Sequence, residues 1–145
     1  MTRLKDEVVA LIASRSFGVL TSHGASGWPH STVVWLDCDS EHVLVNTRIS
    51  RLHYVNLQVN ARCALVVLDN SNPYHYCAIR ALLDATVEGA EAAEHIHALC
   101  FSYRDEPYHT AHPNDRVILR LAPVWQRNCW SHRARRTAEQ TDEID

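Results

Sequence analysis

The stretch VLVNTRISRLHYVNLQVNARCALVVLD, residues 43–69, decides how this chain folds. It opens on the apolar Val43-Leu44-Val45, turns mostly polar over 46–51, and closes on an apolar run over 63–68. Each short apolar run bounded by polar residues marks a strand. Between them Leu52, Val55 and Val59 recur at helical spacing, with Ser50 placed to cap the helix start. The reading is strand, helix, strand. Arg48, Arg51 and His53 gather where the helix begins, with no lysine among them. Unpaired amides and the helix dipole together favour an anion at such a start.

Upstream, Leu4, Val8, Leu11 and Ile12 share one face of a first helix, with Asp6 and Glu7 near its positive end. SFGVLTS reads as a strand, HGASGWP as a turn, and HSTVVWLD as a second strand ended by the turn CDSE. Downstream, CALVVLD is apolar enough to be a central strand buried on both faces. NSNP is a turn, and residues 74–87 form one long strand or two short ones. Ala92, Ile96, Leu99, Cys100 and Tyr103 predict a helix over 89–104, followed by the irregular loop DEPYHTAHPND. Residues 116–130 supply the last strands, interrupted at Pro123. The expected organisation is one domain over 1–130 and a polar, fraying tail over 131–145. Short strands joined by hairpin turns, with a few interposed helices, make this a mainly β (α+β) chain built as a small antiparallel barrel.

At 145 residues, one domain buries roughly 68–70% of its unfolded surface. A net charge of -3 argues against a general nucleic-acid surface. Lys5 is the only lysine, and arginine is the cation that forks phosphates and carboxylates bidentately. No apolar run approaches the ~20 residues of a membrane span, and the charged N-terminus is no signal peptide. Five scattered cysteines, never spaced C-x-x-C, fit a reduced, cytoplasmic chain that uses them as small hydrophobes. There is no G-x-G-x-x-G, no G-x-x-x-x-G-K and no G-x-S-x-G. Among ten histidines, His95 and His97 stand two apart on a helix, and His109 and His112 lack a nearby cysteine or carboxylate set. No metal site is expected.

In FGVLTSHGASGWPHSTVVWLD, in 43–80 and in RVILRLAPVW, the chain resembles the pyridoxamine-phosphate-oxidase-like split-barrel superfamily. The resemblance is to its deazaflavin branch, which uses coenzyme F420. There a strand ending in Asn-Thr or Ser-Thr leads to Gly-Arg-x-Lys-x-x-Asn-Leu, and Asp-Pro follows three residues later. Here Asn46-Thr47 lead to Ser50, Arg51, Leu52, His53, Tyr54, Val55, Asn56 and Leu57, then Asn60 and Ala61. Ser50, His53, Ala61 and Ala81 stand where the family has glycine, lysine, proline and glycine. Ser50-Arg51 echoes the flavin-mononucleotide (FMN) branch, while the spacing to Asn60 follows the deazaflavin one.

The resemblance implies a six-stranded antiparallel split β-barrel with peripheral helices. It implies a homodimer with cofactor in a groove between subunits, and a two-electron oxidoreductase acting on a conjugated small molecule. The strand His30, Ser31, Thr32 and Val33 would lie along the cofactor ring. Thr47, Arg48, Ser50, Arg51, His53 and Asn56 would serve its phosphate end, with His53 a conditional replacement for lysine. Trp35, Tyr74 and Tyr76 are groove candidates, each also readable as ordinary packing. No catalytic residue is assigned, since hydride chemistry needs no covalent nucleophile. FMN in the same fold, or a repurposed groove with little cofactor binding that serves a ligand or a biosynthetic pathway, stay as alternatives.

Overall fold

The computed structural model describes residues 2–110 and 114–129. The tail expected over 131–145, Trp130 and His112 lie outside the described residues. Three helices, α1 (Asp6–Ala13), α2 (Leu52–Val59) and α3 (Ala90–Arg104), accompany seven strands. These are β1 (Gly18–His23), β2 (Pro29–Val34), β3 (Asp37–Cys38), β4 (Val43–Arg48), β5 (Arg62–Leu68), β6 (Tyr76–Glu88) and β7 (Arg116–Cys129). They form one antiparallel sheet in the order β2-β1-β5-β6-β7-β4-β3. The sheet curls into a half-barrel, as the split-barrel reading requires.

Strand alternation builds the interior. Leu20, Val45, Leu65, Val67, Ile79, Leu119 and Leu121 point inward and are almost fully buried. α1 closes one side with Val8, Leu11 and Ile12. α3 lies over the other face of β4, β6 and β7, presenting Ala92, Ile96, Leu99 and Cys100. Cys63, Cys77 and Cys100 are buried and unbridged, and burial pushes the Cys63 thiol up to about 12.

Four expectations change. Among the described residues the strand count is seven, because part of the segment read as the turn CDSE forms β3 against β4. β5 is buried on one face only: Ala64 is exposed and Val66 half-buried, because among the described residues no helix covers that side. β7 runs through Pro123 without interruption. The register with β6 shifts there, from Arg80–Trp125 to Ala81–Pro123, and a bulge is where a strand tolerates proline. Finally, α2 starts one residue later than a Ser50 cap allows. Arg51 N–H bonds back to the Arg48 carbonyl at 3.0 Å, so a tight turn holds 48–51, Arg51 takes the cap position, and Ser50 is exposed.

The β1–β2 hairpin is pinned to α2 by a close approach. A Cβ on Gly24 would collide with the Asn56 side-chain amide, so only glycine fits without a shift. Asn56, buried, also donates to Ser22 Oγ at 3.2 Å.

Candidate functional site

A cavity of about 270 Å³ opens where β2, the end of β4, the start of α2, α3 and the start of β7 converge. Phe17, Thr32, Val33, Val34, Trp35, Ile96 and Leu99 form its apolar walls, with Thr32 the polar member. Asn46, Thr47, Arg51, His53, Tyr108 and Arg116 form its polar end. Strand alternation explains the split at β4. Thr47 faces the barrel interior beside α2, while Asn46 faces α3, and both reach the cavity at the strand's end.

At the polar end His53 Nε2 and Thr47 Oγ1 are 2.6 Å apart, both buried. Burial, then Arg51 and His30, lowers the His53 pKa to about 4. The imidazole is therefore neutral at physiological pH and works in the free chain as a hydrogen-bond partner of Thr47. The positive charge comes from Arg51, exposed, and from Arg116, 8% exposed at the start of β7. Arg116 Nε donates to Asn46 Oδ1 at 2.9 Å, and its guanidinium carbon lies 5.2 Å from the Tyr108 ring centroid. Burial is the main influence lowering the Arg116 pKa, with Arg48 and Arg51 acting in the same direction. An arginine so placed keeps its proton at neutral pH.

Asn46 and His95 continue this network away from the cavity. Asn46 Nδ2 donates to the Ala92 carbonyl at 2.8 Å and lies 3.1 Å from His95 Nδ1. His95 Nε2 is 3.0 Å from Asp37 Oδ2, and this bond is the largest influence holding the Asp37 carboxyl below its usual range. At the apolar end Trp35 stacks on Tyr103 with centroids 5.4 Å apart and planes 9° apart. The Tyr103 hydroxyl accepts from Leu36 N–H at 3.0 Å and donates to the Ser16 carbonyl at 2.7 Å. Trp35 is thus braced at the cavity wall.

Of the residues expected from the sequence, Thr32, Val33, Trp35, Thr47, Arg51 and His53 meet at the cavity. The others do other things. Arg48 is committed elsewhere, with Nε and Nη2 both 2.8 Å from Asp115 Oδ2. Ser31 turns outward and shares a 2.8 Å hydrogen bond with Thr21. His30 lies close enough to His53 for its charge to oppose protonation there, without lining the cavity. Ser50 is exposed and Asn56 ties α2 to β1. Tyr74 sits 69% exposed in the turn before β6, and Tyr76 begins that strand; neither lines the cavity. Ala81 is buried in the core opposite Cys63, away from the cavity. The polar lining residues the sequence did not mark are Asn46, Tyr108 and Arg116, and the apolar ones are Phe17, Val34, Ile96 and Leu99. Arg116 had one signal: it opens an apolar strand on the face opposite Val117, Leu119 and Leu121. Among the described residues no group of three or more His, Cys, Asp or Glu side chains is arranged to hold a metal, and no helix is long and apolar enough to cross a membrane.

The buried His53 carries a stability prediction. Its folded pKa of about 4 lies below the ordinary 6.5, so the unfolded chain takes the proton first. Its contribution is complete above pH 6.5 and is lost as pH falls towards 4, with a slope of at most about 1.4 kcal/mol per pH unit. His53→Gln should flatten the difference between urea midpoints at pH 7 and pH 4.5. An unchanged difference would place the titration elsewhere.

A curled antiparallel half-barrel whose cavity lies beside the strand-to-helix turn of α2 is the architecture of flavin-type split barrels. The pyridoxamine 5'-phosphate oxidase family profile matches residues 4–129, and the chain belongs to that family. The family binds flavin-like cofactors and includes oxidoreductases. Among solved structures, one described as an F420 reductase is 26% identical, with a TM-score of 0.75, covering 86% of this chain and 98% of its own. A conserved hypothetical protein from Mycobacterium tuberculosis is 20% identical, with a TM-score of 0.71 and coverage of 98% and 92%. The heme storage protein HutZ from Vibrio cholerae is 17% identical, with a TM-score of 0.63 and coverage of 87% and 94%. The last two likenesses speak to the fold alone. No curated protein matches the sequence.

Proposed function

We propose that this protein is a deazaflavin-dependent oxidoreductase that binds coenzyme F420 and works as a homodimer on a conjugated small molecule. The observation that carries the proposal is that one cavity is lined both by the cations Arg51 and Arg116 and by an apolar, tryptophan-bearing set of residues. A phosphate-bearing ring cofactor needs both. Arg51, Arg116 and the Thr47 hydroxyl suit an oxyanion, and Val33, Val34 and Trp35 suit a planar ring, so the residues present fit the group. Likeness to an F420 reductase across nearly all of that chain supports the choice. When bound, the deazaflavin supplies the two-electron chemistry by exchanging hydride at its central ring carbon. The chain's part is to hold the acidic end, to seat the ring against β2, and to keep water from it with Phe17, Ile96 and Leu99.

A second subunit completes this reading. At about 270 Å³ the cavity falls just below the ~300–1,000 Å³ that enclose a drug-sized ligand. Val33, 66% exposed, belongs both to the cavity wall and to an outward row that continues through Val19, Val66 and Ala78 across β1, β5 and β6. A partner on that face would bury the row and close the cavity.

FMN is the second reading, favoured by the family match and by the Ser50-Arg51 pair. Titration of purified apo-protein with each cofactor, with the native mass measured alongside, separates the possibilities. The proposal expects tight deazaflavin binding, one main visible band, and twice the 16.5 kDa chain mass. Tight FMN binding with none for deazaflavin would replace the cofactor. Binding of neither would favour a repurposed groove, and a monomer that still turns over substrate would reject the two-subunit site.

A further inference from the structure

Arg116 is 8% exposed and lines the cavity, yet no Asp or Glu among the described residues pairs with it. The nearest acid in sequence, Asp115, gives its Oδ2 to Arg48. Asn46 takes Nε of Arg116, the Tyr108 hydroxyl lies a long 3.4 Å from Nη1, and Nη2 has no hydrogen-bond partner among the described residues. Asp115 favours the charge of Arg116 from a distance, but no carboxylate among the described residues meets its terminal nitrogens. Burying a cation so placed is costly, and a fold sustains one most readily where a ligand brings the anion into contact. Arg51 on the same cavity adds a like charge, whose repulsion an anion between the two would relieve.

We propose that Arg116 anchors an oxyanion site for a phosphate-class group, and that Asn46, His95 and Asp37 are its positioning residues. The inference rests on reading this cavity as a ligand site, not on which cofactor fills it. The polarity of the chain leaves little freedom. Asp37 accepts, so His95 carries its proton on Nε2 and offers Nδ1 as an acceptor. Asn46 Nδ2 donates to that nitrogen and to the Ala92 carbonyl, which turns Asn46 Oδ1 towards Arg116 Nε. A flip of the amide would put donor against donor at Arg116 and acceptor against acceptor at Ala92 and His95. The guanidinium is thus held at its Nε edge with the terminal nitrogens left for a forked contact.

The test is calorimetric titration of the full chain with inorganic phosphate in chloride buffer. Wild type should bind saturably, and Arg116→Gln should lose about tenfold or more in affinity. Asn46→Asp keeps the arginine but supplies an internal carboxylate, so it should also lose binding while melting as a folded protein. In labelled wild type the Arg116 Nε–H resonance should shift with phosphate; in His95→Leu it should broaden through water exchange as affinity falls. No saturable binding by wild type, an unmoved Arg116 resonance, or undiminished binding by both Arg116→Gln and Asn46→Asp would each overturn the proposal. Competition between phosphate and deazaflavin would assign the anion to the cofactor, and simultaneous binding would assign it to the substrate. Phosphate binding at Arg116 without any deazaflavin binding would remove the cofactor reading and leave this site. Equal deazaflavin affinity in wild type and both variants, with no phosphate effect, would do the reverse.

Discussion

Arg51→Ala is expected to weaken deazaflavin binding by about 1.5–3 kcal/mol, roughly 10- to 150-fold in dissociation constant, the usual worth of a charged hydrogen bond. The guanidinium lines the cavity and has no carboxylate partner among the described residues. It sits at the cap position of α2, where the first helical amides have no intrahelical acceptor. The control is its neighbour. Arg48 is held by Asp115 at 2.8 Å, so Arg48→Ala should leave affinity nearly unchanged and show its effect in stability instead. Fluorescence titration of both variants decides between them. A larger loss in the Arg48 variant would return the phosphate contact to the turn rather than the helix start.

The largest effect on stability is expected from Leu119→Ala. Leu119 is 0% exposed, lies mid-strand in β7, and pairs with Val45 on one side and Thr86 on the other. Its removal takes away transfer free energy and leaves a hole between strands that cannot close up, costing about 2–5 kcal/mol. The urea midpoint reports it. Val124, in the same strand but 56% exposed beside the bulge, should change stability by only about 0.5 kcal/mol when cut to alanine. Similar losses at both positions would mean that β7 does not bury the face described here.

The two expectations draw on different parts of the molecule. Leu119 belongs to a packed interior where volume decides the outcome. Arg51 belongs to a surface cavity where charge and unpaired amides decide it. The oxyanion proposal joins the two regions, because β7 carries Leu119 inward and Arg116 towards the cavity only three residues earlier.

The short apolar run at the start of 43–48, helical spacing over 52–59 and the apolar run after it were legible because each signal is local. The strand, helix and strand stand within a residue or two of where the pattern places them. Thr47, Arg51 and His53 were legible as neighbours for the same reason, since one turn and one helix start bring them together. Long-range pairing decided the rest. β3 exists because Asp37 and Cys38 meet β4, and two residues carry no periodicity of their own. β5 is apolar after Arg62, but apolarity cannot say which face receives a cover, and only one does. The charge of His53 depends on burial, and the availability of Arg48 depends on Asp115, 67 residues away. Arg116 and Asn46 are 70 residues apart and meet only because β4 pairs with β7. The sequence by itself determined the elements and the kind of site they could build; tertiary pairing alone decided which side chains are buried, neutral or already spoken for, because those properties are set by neighbours that no local pattern encodes.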